Sequence, residues 1–379
     1  MHERHNVIIA GMGLAALTTA ARLTELGVKD IALYADGFGG TPYIAAINFV
    51  LPENPYGDTE EQYYEDMIHA GYEIGNRDLV RDMTRRAHDA YDLLCRWGVK
   101  FAHNEDGTIK LRHVSGHTYP RTLCQTTRLI GEVMVDALLP KLEKAGVKIH
   151  KNCQVVDLLA RDGKIEGVTV KEGDKVWQAY APVVVAAWGG VGNLLGKSTY
   201  PGDIKGNTLG MAKMAGAEMI DMEFLEFEPL VILSPPGAFG EPSPTAMLGE
   251  GGQLKNANGE RFLLAVRPQG EAGASKSLIN REAWKQIQAG KGGPHGGVYL
   301  DLRHIDKDIL KSYPWFYNRL MTSGCDPNKQ MLEIGSMAHS FSGGIKVNRD
   351  YESNVKGLFA VGEACGGVHG ACRCAGNAG

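Results

Sequence analysis

Apolar residues recur along this chain with two different periods, and the switches between them outline its elements. Val7-Ile8-Ile9-Ala10 is a short unbroken apolar run, the pattern of a strand buried on both faces. It leads into Gly11-Met12-Gly13-Leu14-Ala15-Ala16, and an Ala-rich segment then continues to Leu26 and stops at Gly27. Ile31-Ala32-Leu33-Tyr34 is a second apolar run, so the order reads strand, tight turn, helix, strand. Asp58-Thr59-Glu60-Glu61 has the form of a capping box and predicts a helix start. Leu79, Met83, Ala87, Ala90, Leu94 and Trp97 keep helical spacing and predict one core-facing helix, closed by Gly98. Leu129 to Ala145 is a further amphipathic helix ended by Gly146, and Val147 to His150 reads as the strand after it.

Between Gln154 and Ala187 the period becomes that of β-strands, with hairpin turns predicted at Asp162-Gly163 and Glu172-Gly173-Asp174. Val183-Val184-Val185-Ala186-Ala187 is again a buried-strand run and ends at Trp188-Gly189-Gly190-Val191-Gly192. From about Leu230 the texture changes. Pro235, Pro236, Pro242 and Pro244 interrupt it, residues 290–297 are loop-like, and only Ser275 to Gln288 has helical period. A sheet pattern returns at Gly344-Ile345-Lys346-Val347 and at Gly357 to Glu363. The expected fold class is α/β. Residues 1–230 and 336–379 form one discontinuous domain around an inserted domain at 231–335.

Gly11-x-Gly13-x-x-Ala16 between a strand and a helix is chemistry-bearing. Glycines there let the backbone approach a pyrophosphate, and the helix N-terminus offers that anion free N–H groups and a positive dipole end. The motif does not separate NAD from FAD. Asp36 lies in the loop beyond Tyr34 and is weakly placed as a ribose acid. The Gly37-Phe38-Gly39-Gly40-Thr41 loop reads equally as a cofactor contact or as a turn, and Gly189 follows a buried strand where a second contact is expected.

Composition narrows the class. The chain has 379 residues, enough for roughly two domains, and its net charge of −4 leaves no footprint for nucleic acid. No apolar run reaches the length of a membrane span. The N-terminus enters the first strand directly, so a cytoplasmic location without a secretory signal is expected. Seven cysteines without C-x-x-C spacing fit a reduced protein and no zinc site. Cys372 and Cys374, flanking Arg373, read as small buried side chains.

The distant pieces combine into one set. The glycine turn, Val183-Val184-Val185-Ala186-Ala187-Trp188-Gly189-Gly190 and Gly357-Leu358-Phe359-Ala360-Val361-Gly362-Glu363 come in that order. Gly366-Gly367-Val368-His369-Gly370-Ala371-Cys372-Arg373 with Gly376-Asn377-Ala378 completes the series. Ser115-Gly116-His117, Glu223 to Pro229, Gly249-Glu250-Gly251 and His339-Ser340-Phe341-Ser342-Gly343-Gly344 fall between them. This set resembles the family of fumarate reductase, succinate dehydrogenase and L-aspartate oxidase flavoproteins.

The resemblance implies a Rossmann-like FAD-binding domain with a β-meander and an inserted capping domain. It assigns Gly11, Gly13 and Ala16 to the FAD pyrophosphate and Gly39, Gly40 and Thr41 to its path. Val155 then lies near the adenine, Gly189 makes a further contact, Glu363 lies near the ribose and ribityl, and Asn377 and Ala378 lie at the flavin pyrimidine edge. The loop Gly40-Thr41-Pro42-Tyr43-Ile44-Ala45-Ala46 lacks the histidine that links FAD covalently in membrane-bound relatives, so noncovalent FAD is expected. A further helix beyond Gly379 is also implied.

Arg373 matches the arginine that holds a substrate carboxylate, and its planar fork suits bidentate binding. His339 matches a histidine at the same end of the substrate. The family's second substrate histidine is Glu228 here, its Thr-Glu pair is Pro244 and Thr245, and the arginine before Gly249 is Leu248. The proton-donating arginine aligns with Lys276. The expected function is therefore an FAD-dependent oxidoreductase passing a hydride between flavin and a small carboxylate. An alkenoate-type reductase is favoured, and efficient fumarate reduction is not. An amino-acid or amine oxidase and a noncatalytic flavin-binding subunit are the alternatives. Lys276, or else Glu228, carries the proton. The implied partners are the substrate, bound where the two domains meet, and an electron donor or acceptor of unspecified kind.

Overall fold

Strand Val7–Ala10 is the middle of a five-stranded parallel sheet. Ile31–Tyr34 and Lys148–His150 lie to one side of it, and Val183–Ala186 and Leu358–Ala360 to the other. Every residue of Val7–Ala10 and Ile31–Tyr34 is buried, which is what their unbroken apolar runs require. The chain leaves the central strand in one direction and later returns to build the other side. This reversal between Val7–Ala10 and Val183–Ala186 is a topological switch point.

The computed structural model describes residues 2–114 and 117–374. It divides into two units, one of Met1–Gly196, Tyr200–Glu226 and Ser340–Gly379 and one of Lys197–Thr199 and Phe227–His339.

In the first unit, helix Leu14–Glu25 buries Leu14, Ala16, Leu17, Ala20 and Ala21 and packs on helix Ile130–Lys144. The alanines bring its backbone close to its neighbours. Helix Glu60–Ala70 starts at Thr59, whose side chain accepts the Gln62 N–H, one residue later than the box Asp58-Thr59-Glu60-Glu61 places the cap, because Asp58 is held by Arg121 instead. The apolar stripe from Leu79 to Trp97 is divided into helices Arg77–Arg85 and Ala87–Arg96, not one. Arg86, with ψ of 3°, makes a one-residue break. Periodicity does not reveal it because the stripe keeps its phase across the break.

A second sheet orders His2–Arg4, Lys175–Tyr180, Lys164–Glu172 and Gln154–Arg161. Its last three strands form the antiparallel meander expected from the alternation. Asp162 and Gly163 both have positive φ, 51° and 73°, as a two-residue turn matching the strand twist demands.

The second unit is built on a four-stranded sheet ordered Leu225–Ser234, Leu332–Phe341, Val298–Asp301 and Gln253–Lys255. Helix Lys276–Gln288 packs against strand Val298–Asp301. Its core gathers Leu230, Ile232, Ile279, Leu300, Leu320 and Ile334, each essentially unexposed. Among the described residues no helix is long and apolar enough to cross a membrane.

Candidate active site

In the first unit the strand ends converge at the switch point. Gly11 N–H bonds Tyr34 O, Ala187 N–H bonds Ala10 O and Val361 N–H bonds Ala186 O. Gly11 has φ of 126°, and a Cβ there would lie 2.2 Å from Ala187 O. Only glycine fits. Gly13 is the N-cap of helix Leu14–Glu25 with no side-chain cap of its own. Thr41 Oγ1 accepts the Leu14 N–H at 2.7 Å, so this loop residue closes on the helix N-terminus. Ala16 is fully buried, and its small size serves helix–sheet packing.

Gly39, with φ of 57°, donates its N–H to Asp203 Oδ2 at 2.8 Å, and Gly40 caps the short turn Thr41–Tyr43. Val155 is buried in strand Gln154–Arg161 opposite Val170. Gly189, with φ of 78°, follows the strand end. The Trp188 indole N–H beside it is buried with no hydrogen-bond partner among the described residues. A glycine-only approach, a helix N-terminus and an orphaned donor at the switch point fit a dinucleotide. Asp36 accepts from Gln154 Nε2 at 2.7 Å. Asn377 and Ala378 lie outside the described residues, as do Ser115 and Gly116.

Glu363 is held from within the protein. Its Oε1 accepts from the Tyr200 hydroxyl and from Phe341 N–H at 2.8 Å. Burial pushes its carboxyl pKa up, against these hydrogen bonds, and burial likewise raises that of Tyr200.

Arg373 is also anchored in this unit. Its Nη2 donates to Glu226 Oε1 at 3.0 Å and its Nε to Ser340 Oγ at 3.1 Å. Both charged side chains are more than nine-tenths buried. Sequence reasoning missed Glu226 and Ser340 as partners. No spacing along the chain signals the first: only the structure shows Glu226 and Glu228 buried while Phe227 between them is 42% exposed. That inverts the usual strand pattern of apolar residues inside and charged residues outside.

Cys374 is buried, with its Sγ 3.2 Å from His117 Nε2. Burial pushes its thiol pKa up to about 12, so it stays protonated. His117 also faces Asn48 Nδ2 at 3.2 Å and the fully buried Arg121, whose fork grips Asp58.

The second unit brings two of the residues selected from the sequence, Lys276 and His339, to the carboxylate of a third, Glu228. Lys276 begins helix Lys276–Gln288, with Ser275 as its N-cap. Lys276 Nζ lies 2.8 Å from Glu228 Oε2, and His339 Nε2 lies 3.9 Å from the same oxygen. Thr199 Oγ1 is 2.8 Å from His339 Nδ1. A cation at a helix N-terminus faces the positive end of the dipole, and the buried Glu228 offsets that. Glu228 Oε1 is buried with no hydrogen-bond partner among the described residues.

The family profile described as FAD binding domain matches residues 6–378. A fumarate reductase (CoM/CoB) subunit of Methanothermobacter marburgensis is 30% identical over 385 residues, covering 98% of this chain and 69% of that protein. L-aspartate oxidase of Streptomyces coelicolor is 31% identical over 382 residues, covering 98% of this chain and 65% of that one. A solved quinol fumarate reductase of E. coli matches with a TM-score of 0.89 at 27% identity, over 100% of this chain and 68% of that one. The chain therefore spans about two thirds of the length of these relatives. With the glycine cradle at its switch point, the chain belongs to the FAD-binding family of flavoprotein oxidoreductases that includes this CoM/CoB fumarate reductase and L-aspartate oxidase.

Proposed function

We propose that this chain binds FAD and a small unsaturated carboxylate and acts as an FAD-dependent reductase. The observation that carries this reading is the convergence of Lys276 and His339 on Glu228 in the second unit. FAD, when bound, supplies or accepts the hydride. Arg373 holds a substrate carboxylate, its guanidinium oriented by Glu226 and Ser340. Lys276 donates the proton to the substrate carbon next to the one that takes the hydride. Glu228 fixes the Lys276 ammonium in place, and His339, held by Thr199, helps to hold the substrate carboxylate. The oxidase alternative gains nothing from this arrangement, because Glu228 already carries a cation. Efficient fumarate reduction is not proposed, since Lys276, Glu228 and Leu248 replace the residues that the family's relay implies.

The test is steady-state kinetics of the FAD-loaded protein on a panel of unsaturated acids. Arg373→Lys should mainly raise KM, because lysine keeps the charge but not the planar fork. Lys276→Met should mainly lower kcat, by about 10²- to 10⁴-fold, as for lost general acid–base groups. Turnover of Lys276→Met equal to the parent would remove Lys276 from the mechanism.

A further inference from the structure

We infer that Glu228 selects a carboxylate substrate that also carries an uncharged hydrogen-bond donor, a hydroxyl or an amide N–H. This deepens the proposed function and rests on it. The Glu228 side chain is 7% exposed, and its two oxygens are not equivalent. Oε2 accepts from Lys276 and faces His339, whereas Oε1 is buried without a partner among the described residues. A buried carboxylate oxygen left unpaired is costly, so the arrangement asks for a donor at Oε1. The cluster is reachable: the Lys276 and His339 side chains are 20% and 29% exposed.

The charge balance decides what kind of donor. Lys276 already neutralises Glu228. An ammonium on Oε1 would put a second cation across the same carboxylate from Lys276, and at that separation in a partly buried place the two repel. A hydroxyl or an amide N–H satisfies Oε1 without that repulsion. Thr199 adds to the selection. Its hydroxyl occupies His339 Nδ1, leaving Nε2 as the atom that faces Glu228.

The experiment titrates the FAD-loaded protein with succinate, malate and aspartate, three diacids that differ by no donor, a hydroxyl and an ammonium. Binding is read from the flavin absorbance. Malate should bind about tenfold or more tightly than succinate, since a hydrogen bond to a charged group is worth at least that. Aspartate should not exceed malate. In Glu228→Leu the ratio of malate to succinate affinity should fall to about one. The double variant Glu228→Leu with Lys276→Met, which keeps the charge balanced, should behave alike if the single variant folds poorly. Equal binding of malate and succinate to the parent overturns the inference, and so does aspartate binding tightest. Arg373→Lys separates the two levels. If no diacid binds, or if binding ignores Arg373→Lys, the carboxylate reading itself fails and the inference with it.

Discussion

Arg373 and Glu226 form a buried ion pair, with Nη2 3.0 Å from Oε1 and both side chains more than nine-tenths buried. The cation read from the sequence as a carboxylate anchor thus already has an anion beside it. Such a pair adds little net stability, yet removing one partner strands the other charge, at about 3–5 kcal/mol. Glu226→Ala should therefore lower the urea midpoint strongly. Glu226→Gln keeps an acceptor for Arg373 but removes the competing charge. It should be milder in stability and should tighten carboxylate binding. Weaker binding in Glu226→Gln would mean that the glutamate charge positions Arg373 in a way the amide does not reproduce.

The two glycines of the turn are predicted to differ. A side chain at Gly11 meets the Ala187 carbonyl at 2.2 Å and must adopt φ of 126°. Gly13 has φ of −75°, and a Cβ there meets Thr41 Oγ1 at 3.1 Å and the Phe38 carbonyl at 3.5 Å. Gly11→Ala should lose flavin absorbance and lower stability by about 1–3 kcal/mol from backbone strain alone. Gly13→Ala should fold nearly as well as the parent and lose flavin affinity only in part, and Gly13→Val should lose it entirely. Equal flavin content in Gly11→Ala and the parent would place the pyrophosphate elsewhere.

FAD should be released by acid or heat denaturation and recovered in the supernatant. The turn Thr41–Tyr43 and the residues around it contain no histidine to form a covalent link. Flavin fluorescence that stays with the protein band on a denaturing gel would contradict this.

Stability should fall on mild acidification through His369. Burial, helped by the nearby Arg373 charge, lowers its pKa from the usual 6.5 to about 4. The unfolded chain then binds the proton first, so the folded state has its full advantage above about pH 6.5. That advantage is lost progressively as the pH falls to 4, by roughly 2–3 kcal/mol in total. Urea unfolding at pH 7 and pH 5 checks it. His369→Gln should show a smaller difference between the two pH values than the parent.

The sequence by itself determined the elements whose cause is local. Unbroken apolar runs specify strands covered on both faces, which is how Val7–Ala10 and Ile31–Tyr34 lie. Asp162-Gly163 allows the positive φ values its hairpin needs, and Thr59 and Ser275 cap helices through their own side chains. Gly11-x-Gly13-x-x-Ala16 marks a close backbone approach whatever surrounds it. Only the tertiary structure decided which charges meet. Glu226 and Arg373 are 147 residues apart, and Lys276, Glu228 and His339 come from three separate elements. Periodicity reports which face of an element is buried, but an ion pair depends on where distant elements place their side-chain ends. That Glu226 and Glu228 are the buried residues and Phe227 the exposed one is likewise a property of the structure. Their partners are set by packing in three dimensions and not by spacing along the chain.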